Sequence, residues 1–269
     1  MGISRLTARC LLLEAKERPF HGAVLQLGRQ DINFGINELR DWARSSGVPL
    51  NDNGPIVIRH IPGQPHLQWI DDVTFFTQLG FENVQSCDTC DYEQATHIFD
   101  MNHPSPDQLN NRFDVILDGG TLEHIFNVPQ AFGNLHKMLK VGGRAIHVFP
   151  VSNHVDHGFY SFSPTLFWDY YQANGYQVEH CYLTGQTSNP FEEFALFNYQ
   201  PGCVDHLSFG GFTARIFMKY DTIDGFIVAR KLPESTATSV PVQRRMAALW
   251  RHDKLAVDTL KQFRLLGYL

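Results

Sequence analysis

From residue 81 to residue 183 the chain alternates short β-prone runs with amphipathic, capped segments, and this rhythm restricts the fold more than any other feature. "FENVQSCD" (81–88), "THIFDMN" (96–102) and "FDVILDGG" (113–120) read as strands buried on both faces, with an acid at or near each end. "IDDVTFFTQLGF" reads as a helix with an apolar stripe of Val73, Phe76 and Leu79 and a stop at Gly80. In "NVPQAFGNLHKMLKVGG", Asn127 is the cap, Pro129 lies in the first turn, Val128, Ala131, Phe132, Leu135 and Leu139 form the stripe, and Gly142 and Gly143 end it. "RAIHVFPV" (144–151) is the next strand, "SPTLFWDYYQANG" a helix from Ser163 and Pro164 to Gly175, and "YQVEHCYL" (176–183) a further strand. Strands and helices alternating at these lengths specify an α/β domain with a mostly parallel sheet, which binds ligands outside the carboxyl ends of its strands.

Ahead of this block, "AVLQL" (23–27) reads as a short buried strand, followed by Gly28 where a nucleotide-binding turn would place its first glycine; the next glycine, Gly35, comes seven residues later. The expected ligand rim is therefore Gly28, Asp88, Asp100, Asp118 and Pro150. Residues 36–70, rich in Pro, Gly and Asn, read as an insertion after the first strand. Residues 184–224 hold Phe191, Phe194, Phe197, Tyr199, Phe209 and Phe212 among turn residues and read as a lid or cap, followed by a return strand at 225–232. The expected organisation is one Rossmann-like domain, residues 1–232, with a seven-stranded sheet and helices on both faces. Residues 233–269 are then a linker and a C-terminal amphipathic helix that packs on the domain or forms a homodimer contact.

Composition narrows the partners. With 43% hydrophobic residues, 19% charged residues and a net charge of −6, the chain can bury a large core and shows no lysine/arginine stripe for a nucleic-acid backbone. The three leucines before Glu14 and Lys16 are too short a run for a signal-peptide core or a membrane span, so a soluble cytoplasmic protein with no membrane partner is expected. Five cysteines argue against a disulfide framework and fit a reducing compartment. "CDTC" at 87–90 and "CVDH" at 203–206 supply Cys87, Cys90, Cys203 and His206, a set that suits tetrahedral zinc, while free buried cysteines are the simpler reading.

A row of acids at strand ends suits an adenosine-type ligand, because a carboxylate can accept both ribose hydroxyls. Asp88 is the ribose candidate, and Asp100 with Met101 and Asn102 the adenine-side candidate; turn or cap roles compete for each acid. "FDVILDGGTLEHIFN" followed by a capped helix and "MLKVGGRAIHVFP" resembles the fourth-to-fifth strand segment of class I S-adenosylmethionine-dependent methyltransferases, in which strand, "LEH", helix, "LKPGG" and strand recur. The resemblance covers roughly residues 81–183. In residues 20–35 the family's strand-end acid is replaced by Gln26 and its glycine pair by "GRQD", so Gly28 matches only the first glycine.

The resemblance implies S-adenosylmethionine as cofactor, held by Gly28, Asp31, Asp88, Asp100, Met101, Asn102, Asp118 and Gly119, with Asp31 meeting the amino group and Arg29 and Gln30 pointing away or bonding the carboxylate. It sets Glu123 and His124 beside the reactive methyl group. Histidine is a suitable base there because its pKa lies near neutrality. After the fifth strand, "NHVDHGFYSFSP" offers His157 as a second candidate base and Tyr160 and His154 as acceptor contacts, with "GFYSF" as an apolar wall. A divalent metal on His154, Asp156 and His157 would need more carboxylate oxygens than this segment offers, so no metal is expected. The implied activity is methyl transfer to an oxygen or nitrogen of a small or medium organic acceptor. The alternative is a catalytically degenerate binding protein of the same fold.

Overall fold

Nine strands of the described residues form one sheet, in the order β11-β9-β8-β10-β7-β6-β2-β4-β5. The structure, a computed structural model, describes residues 2–61, 63–189, 194–201, 220–244, 246–247 and 265–268. The sheet strands are β2 (Ala23–Leu27), β4 (Asn83–Asp88), β5 (His97–Ile98), β6 (Phe113–Gly119), β7 (Leu139–Ser152), β8 (Gln177–Gln186), β9 (Ala195–Asn198), β10 (Thr222–Arg230) and β11 (Leu265–Tyr268). Two short strands, β1 (Gly2–Ile3) and β3 (Asp31–Ile32), pair with each other in parallel outside it. From β5 to β7 all neighbours are parallel, and β10 enters antiparallel between β7 and β8. The chain leaves β2 for β4 on one side and returns to β6 on the other, so the strand order reverses at β2, which is where a ligand crevice opens in such sheets.

Helices cover both faces. On one lie α1 (Arg5–Glu17), α2 (Ile36–Ser46) and α3 (Asp72–Gln78), packing Leu11, Leu12, Leu39, Phe75 and Phe76 against Val24, Val115 and Leu117. On the other lie α4 (Val128–Met138) and α5 (Pro164–Ala173), packing Phe132, Leu135, Phe167 and Tyr171 against Leu25, Leu27 and Ile116. Side chains alternate between faces along each strand, so both faces of the parallel strands are apolar. The caps follow the sequence: Asn127 accepts from the Gln130 N–H at 3.4 Å with Pro129 in the first turn, and Pro164 opens α5.

The mostly parallel α/β sheet is as expected, and all seven expected strands are present, with shifted bounds. β7 already begins at Leu139, β10 spans 222–230, and β5 is a two-residue edge strand with Ile98 exposed rather than a fully buried one. The stripe of α3 is Phe75, Phe76 and Leu79, headed by buried Asp72, while Val73 is exposed. The 36–70 segment begins with a regular helix, α2, closed at Gly47. Of the expected lid, Ala195–Asn198 is a sheet strand, and Phe194, Phe197 and Tyr199 are core residues. Phe191, Phe209 and Phe212 lie outside the described residues, as does most of the expected C-terminal helix, whose last residues Leu265–Gly267 belong to β11 instead. Among the described residues no helix is long and apolar enough to cross a membrane.

Candidate active site

Strand register aligns the rim. Leu27 lies opposite Cys87 on one side and Asp118 on the other, and Asp118 lies opposite His147. Gly28 turns out of β2 at φ 68, where a side chain would be strained, and its N–H donates to the Cys87 carbonyl at 2.8 Å, which brings it beside Asp88. Thr89 donates its N–H (2.6 Å) and hydroxyl (3.3 Å) to Oδ1 of Asp88; among the described residues Oδ2 has no donor.

The "GRQD" turn is held from below. Gln26 is fully buried, donates from Nε2 to Asp72 (2.9 Å) and accepts the Gln30 N–H (3.1 Å). Arg29 folds away onto Asp72 and the Glu93 carbonyl. Gln30 turns inward: its Nε2 donates to the Leu27 carbonyl at 2.8 Å, and its carboxamide rests on Gly119 so closely that a Cβ there would meet Oε1 at 2.8 Å. That Oε1 is buried and has no donor among the described residues. Asp31 departs from the expected role. It sits in β3, drawn to the surface by the β1 pairing, and its carboxylate is paired with Arg59.

Four further expected ligand residues, Asp100, Met101, Asn102 and Asp118, have structural roles. Asp100 accepts the N–H and Nδ2 of Asn102, both at 2.8 Å, and this turn holds its carboxyl below the usual range, the Asn102 N–H above all. Asn102 in turn accepts the Asn127 N–H ahead of α4, and Met101 is buried in the core. Asp118 is completely buried: Oδ1 accepts the N–H groups of Thr121 (2.8 Å) and Leu122 (3.2 Å), and Oδ2 faces His147 Nδ1 at 2.8 Å. Nε2 of that ring meets the Tyr171 hydroxyl at 2.6 Å. With Nδ1 donating to Asp118, Nε2 accepts from the Tyr171 hydroxyl, which burial keeps protonated. Asp118 is therefore committed to shaping the loop after β6 rather than to touching a ligand.

That loop, Gly119–His124, ends in a 3-10 turn at Leu122–His124 and gathers the chemically active side chains. Glu123 is 1% exposed, its Oε1 lies 3.5 Å from His157 Nε2, and among the described residues its Oε2 has no hydrogen-bond partner. Burial, helped by the Asp118 and Asp224 charges, pushes its carboxyl up to about 8. The His124 and His157 rings lie 5.1 Å apart; partial burial and His157 lower the His124 pKa and keep that ring neutral near pH 7. His154 pairs with Asp224 at 2.9 Å, and this hydrogen bond raises its pKa. The 153–162 loop is pinned on Glu123, whose carbonyl accepts the N–H groups of Phe159 (2.8 Å) and Tyr160 (3.2 Å), while the Tyr160 hydroxyl donates to the Phe126 carbonyl. Only glycine fits at 158, where a Cβ would come within 2.9 Å of the Glu123 carbonyl.

A cavity of about 210 Å³ opens beside this cluster, and its lining includes Gly119, Glu123, His154 and His157. Gly2, Ser4, Gln186 and Asp224 also line it, and no local motif announces them because they arrive from both ends of the chain. His124, Tyr160, Asp88 and Gly28 are not among its lining residues. Cys87 is buried, and desolvation pushes its thiol up to about 12; Cys90 is exposed, and Cys203 and His206 lie outside the described residues.

No protein-family model matches the chain, and no curated protein matches it. Solved structures do. A Burkholderia thailandensis 1,6-didemethyltoxoflavin-N1-methyltransferase, with 1,6-didemethyltoxoflavin and S-adenosylhomocysteine bound, is 13% identical over 85% of this chain and 78% of its own, at a TM-score of 0.39. An Archaeoglobus fulgidus SAM-dependent methyltransferase is 10% identical over 85% of this chain and 95% of its own, at 0.45. The Bacillus subtilis YcgJ protein is 12% identical over 84% and 98%, at 0.44. All three likenesses are distant.

Proposed function

We propose that the chain is a class I S-adenosylmethionine-dependent methyltransferase that methylates an oxygen or nitrogen of a small or medium organic acceptor. The observation that carries this reading is the loop after β6: beside the strand-order reversal it sets a buried carboxylate and two imidazoles next to a cavity of about 210 Å³, the size of a small acceptor. The chain's residues fit the cofactor at two points. Oδ2 of Asp88 is open to ribose hydroxyls, and the donorless Oε1 of Gln30 offers a buried acceptor to an ammonium group. Gly28, Gln30, Asp88 and Gly119 would hold it, and bound there it supplies an activated sulfonium methyl group.

The protein's part is positioning and proton removal. Glu123, His154 and His157 line the acceptor cavity; His157, with neutral His124 against it, takes the acceptor's proton as the methyl group passes from sulfur to the acceptor's lone pair. Such a base contributes about 10²–10⁴-fold. One observation favours the second reading, a binding protein without catalysis: the Gln30 carboxamide covers Gly119, where the family's turn would leave the backbone bare.

Incubation with methyl-labelled S-adenosylmethionine and mixed pools of hydroxyl- and amine-bearing small molecules separates the two. Label transfer that His124→Ala or His157→Ala slows while S-adenosylhomocysteine affinity stays the same supports the enzyme. Cofactor binding without transfer to any pool supports the second reading.

A further inference from the structure

We propose that Glu123, His124 and His157 form a binding site for a borderline divalent cation of the zinc type. One nitrogen from each ring and one oxygen from the carboxylate lie within 4.8 Å of one another. The Glu123 Oε1 to His157 Nε2 separation of 3.5 Å is already near the edge of a tetrahedron, about 3.3 Å for metal–ligand bonds of about 2.0–2.1 Å. Both rings are exposed, so small side-chain rotations close the rest without moving the backbone. Two imidazoles and one carboxylate are a donor set that such cations take, three protein ligands leave a fourth position open, and two of the three, Glu123 and His157, line the cavity.

A second observation points to a cation independently. Glu123 is 1% exposed, and among the described residues its Oε2 meets no hydrogen-bond donor. Its ion-pair neighbour among the described residues is His157, and no lysine or arginine there pairs with it. His154 does not compete, since its ring is held by Asp224. The sequence led to no expected metal, because His154, Asp156 and His157 offer too few carboxylate oxygens; the fold brings a further carboxylate from the neighbouring loop, that of Glu123, whose backbone carbonyl packs on Gly158 next to His157. The role of the cation rests on the methyl-transfer reading: bound there it would lower the pKa of an acceptor hydroxyl, whose proton would leave to bulk water, and His124 and His157 would then serve as ligands in place of the base role given to them above.

Binding is tested without turnover. The full chain, stripped with chelator, is titrated with ZnCl2 by calorimetry and with CoCl2 by visible d–d absorption. The expected result is one equivalent bound with nitrogen/oxygen-type bands. Glu123→Gln and the double change His124→Ala/His157→Ala should each weaken it by more than about 100-fold, the upper end of what loss of an outer-shell partner costs, and Cys90→Ser should leave it unchanged. The double variant alters exposed side chains only, so it decides the matter even where Glu123→Gln unfolds the chain. No stoichiometric binding, or undiminished binding in the double variant, overturns the site. S-adenosylhomocysteine titrated into the same samples keeps the two claims apart: cation binding without nucleoside binding sinks the cofactor reading alone, and the reverse sinks the cation site alone.

Discussion

Both carboxylate oxygens of Asp118 are used inside the protein, and the consequence is measurable. Asp118→Ala leaves His147 Nδ1 and the N–H groups of Thr121 and Leu122 without their acceptor in a fully buried place. At about 1–3 kcal/mol for each buried group left unsatisfied, the variant should lose about 3 kcal/mol or more of stability, read as a lower urea midpoint at unchanged slope. A loss below about 1 kcal/mol would mean that water replaces the carboxylate. Gln30 carries a sharper choice. If its Oε1 accepts a ligand ammonium, Gln30→Ala should weaken S-adenosylhomocysteine binding about tenfold, equal to about 1.4 kcal/mol. Tighter binding in Gln30→Ala would instead make the side chain a plug and favour the non-catalytic reading.

Among the elements, β2 and β6 are joined at their entrance by Asp114, which accepts the Ala23 N–H and the Lys140 ammonium, both at 2.8 Å. Burial raises its pKa, but the Ala23 N–H and the bond and charge from Lys140 outweigh this and hold it below the ordinary value. A depressed carboxyl adds stability that is complete above its unfolded pKa, about 3.9, and is lost as pH falls through the lower folded value. The thermal midpoint of the wild type should therefore exceed that of Asp114→Asn at pH 7, and the gap should shrink as pH falls below about 4; a constant gap would deny the shift. Sequence pattern revealed β6, α4, β7 and α5 because their apolar stripes and caps are uninterrupted. It misjudged α3 because buried Asp72, tied to Gln26 and Arg29, heads the stripe as a polar residue. It passed over α1 for a similar reason: Glu14 breaks the apolar run in the sequence, yet it is buried against Arg144, and no local periodicity marks a partner 130 residues away.

The sheet as a unit decides what meets at the rim. Its parallel half turns at β2, and β10 returns between β7 and β8 to bring Asp224 to His154. Glu123, His154, His157 and Gly119 could be grouped from sequence because they flank two adjacent strands, whereas Gly2, Ser4 and Gln186 reach the cavity only through long-range pairing. Asp88, one strand beyond the reversal, is the ribose contact of the proposed reading, and among the described residues its Oδ2 has no donor. Calorimetric titration of the intact chain with S-adenosylhomocysteine, repeated on Asp88→Ala with circular dichroism as the check on folding, tests this reading of the rim most directly. Saturable one-to-one binding in the wild type, weakened by about 1.5–3 kcal/mol in the folded variant, is the expected result. No binding to the wild type, or equal affinity in both, would contradict it.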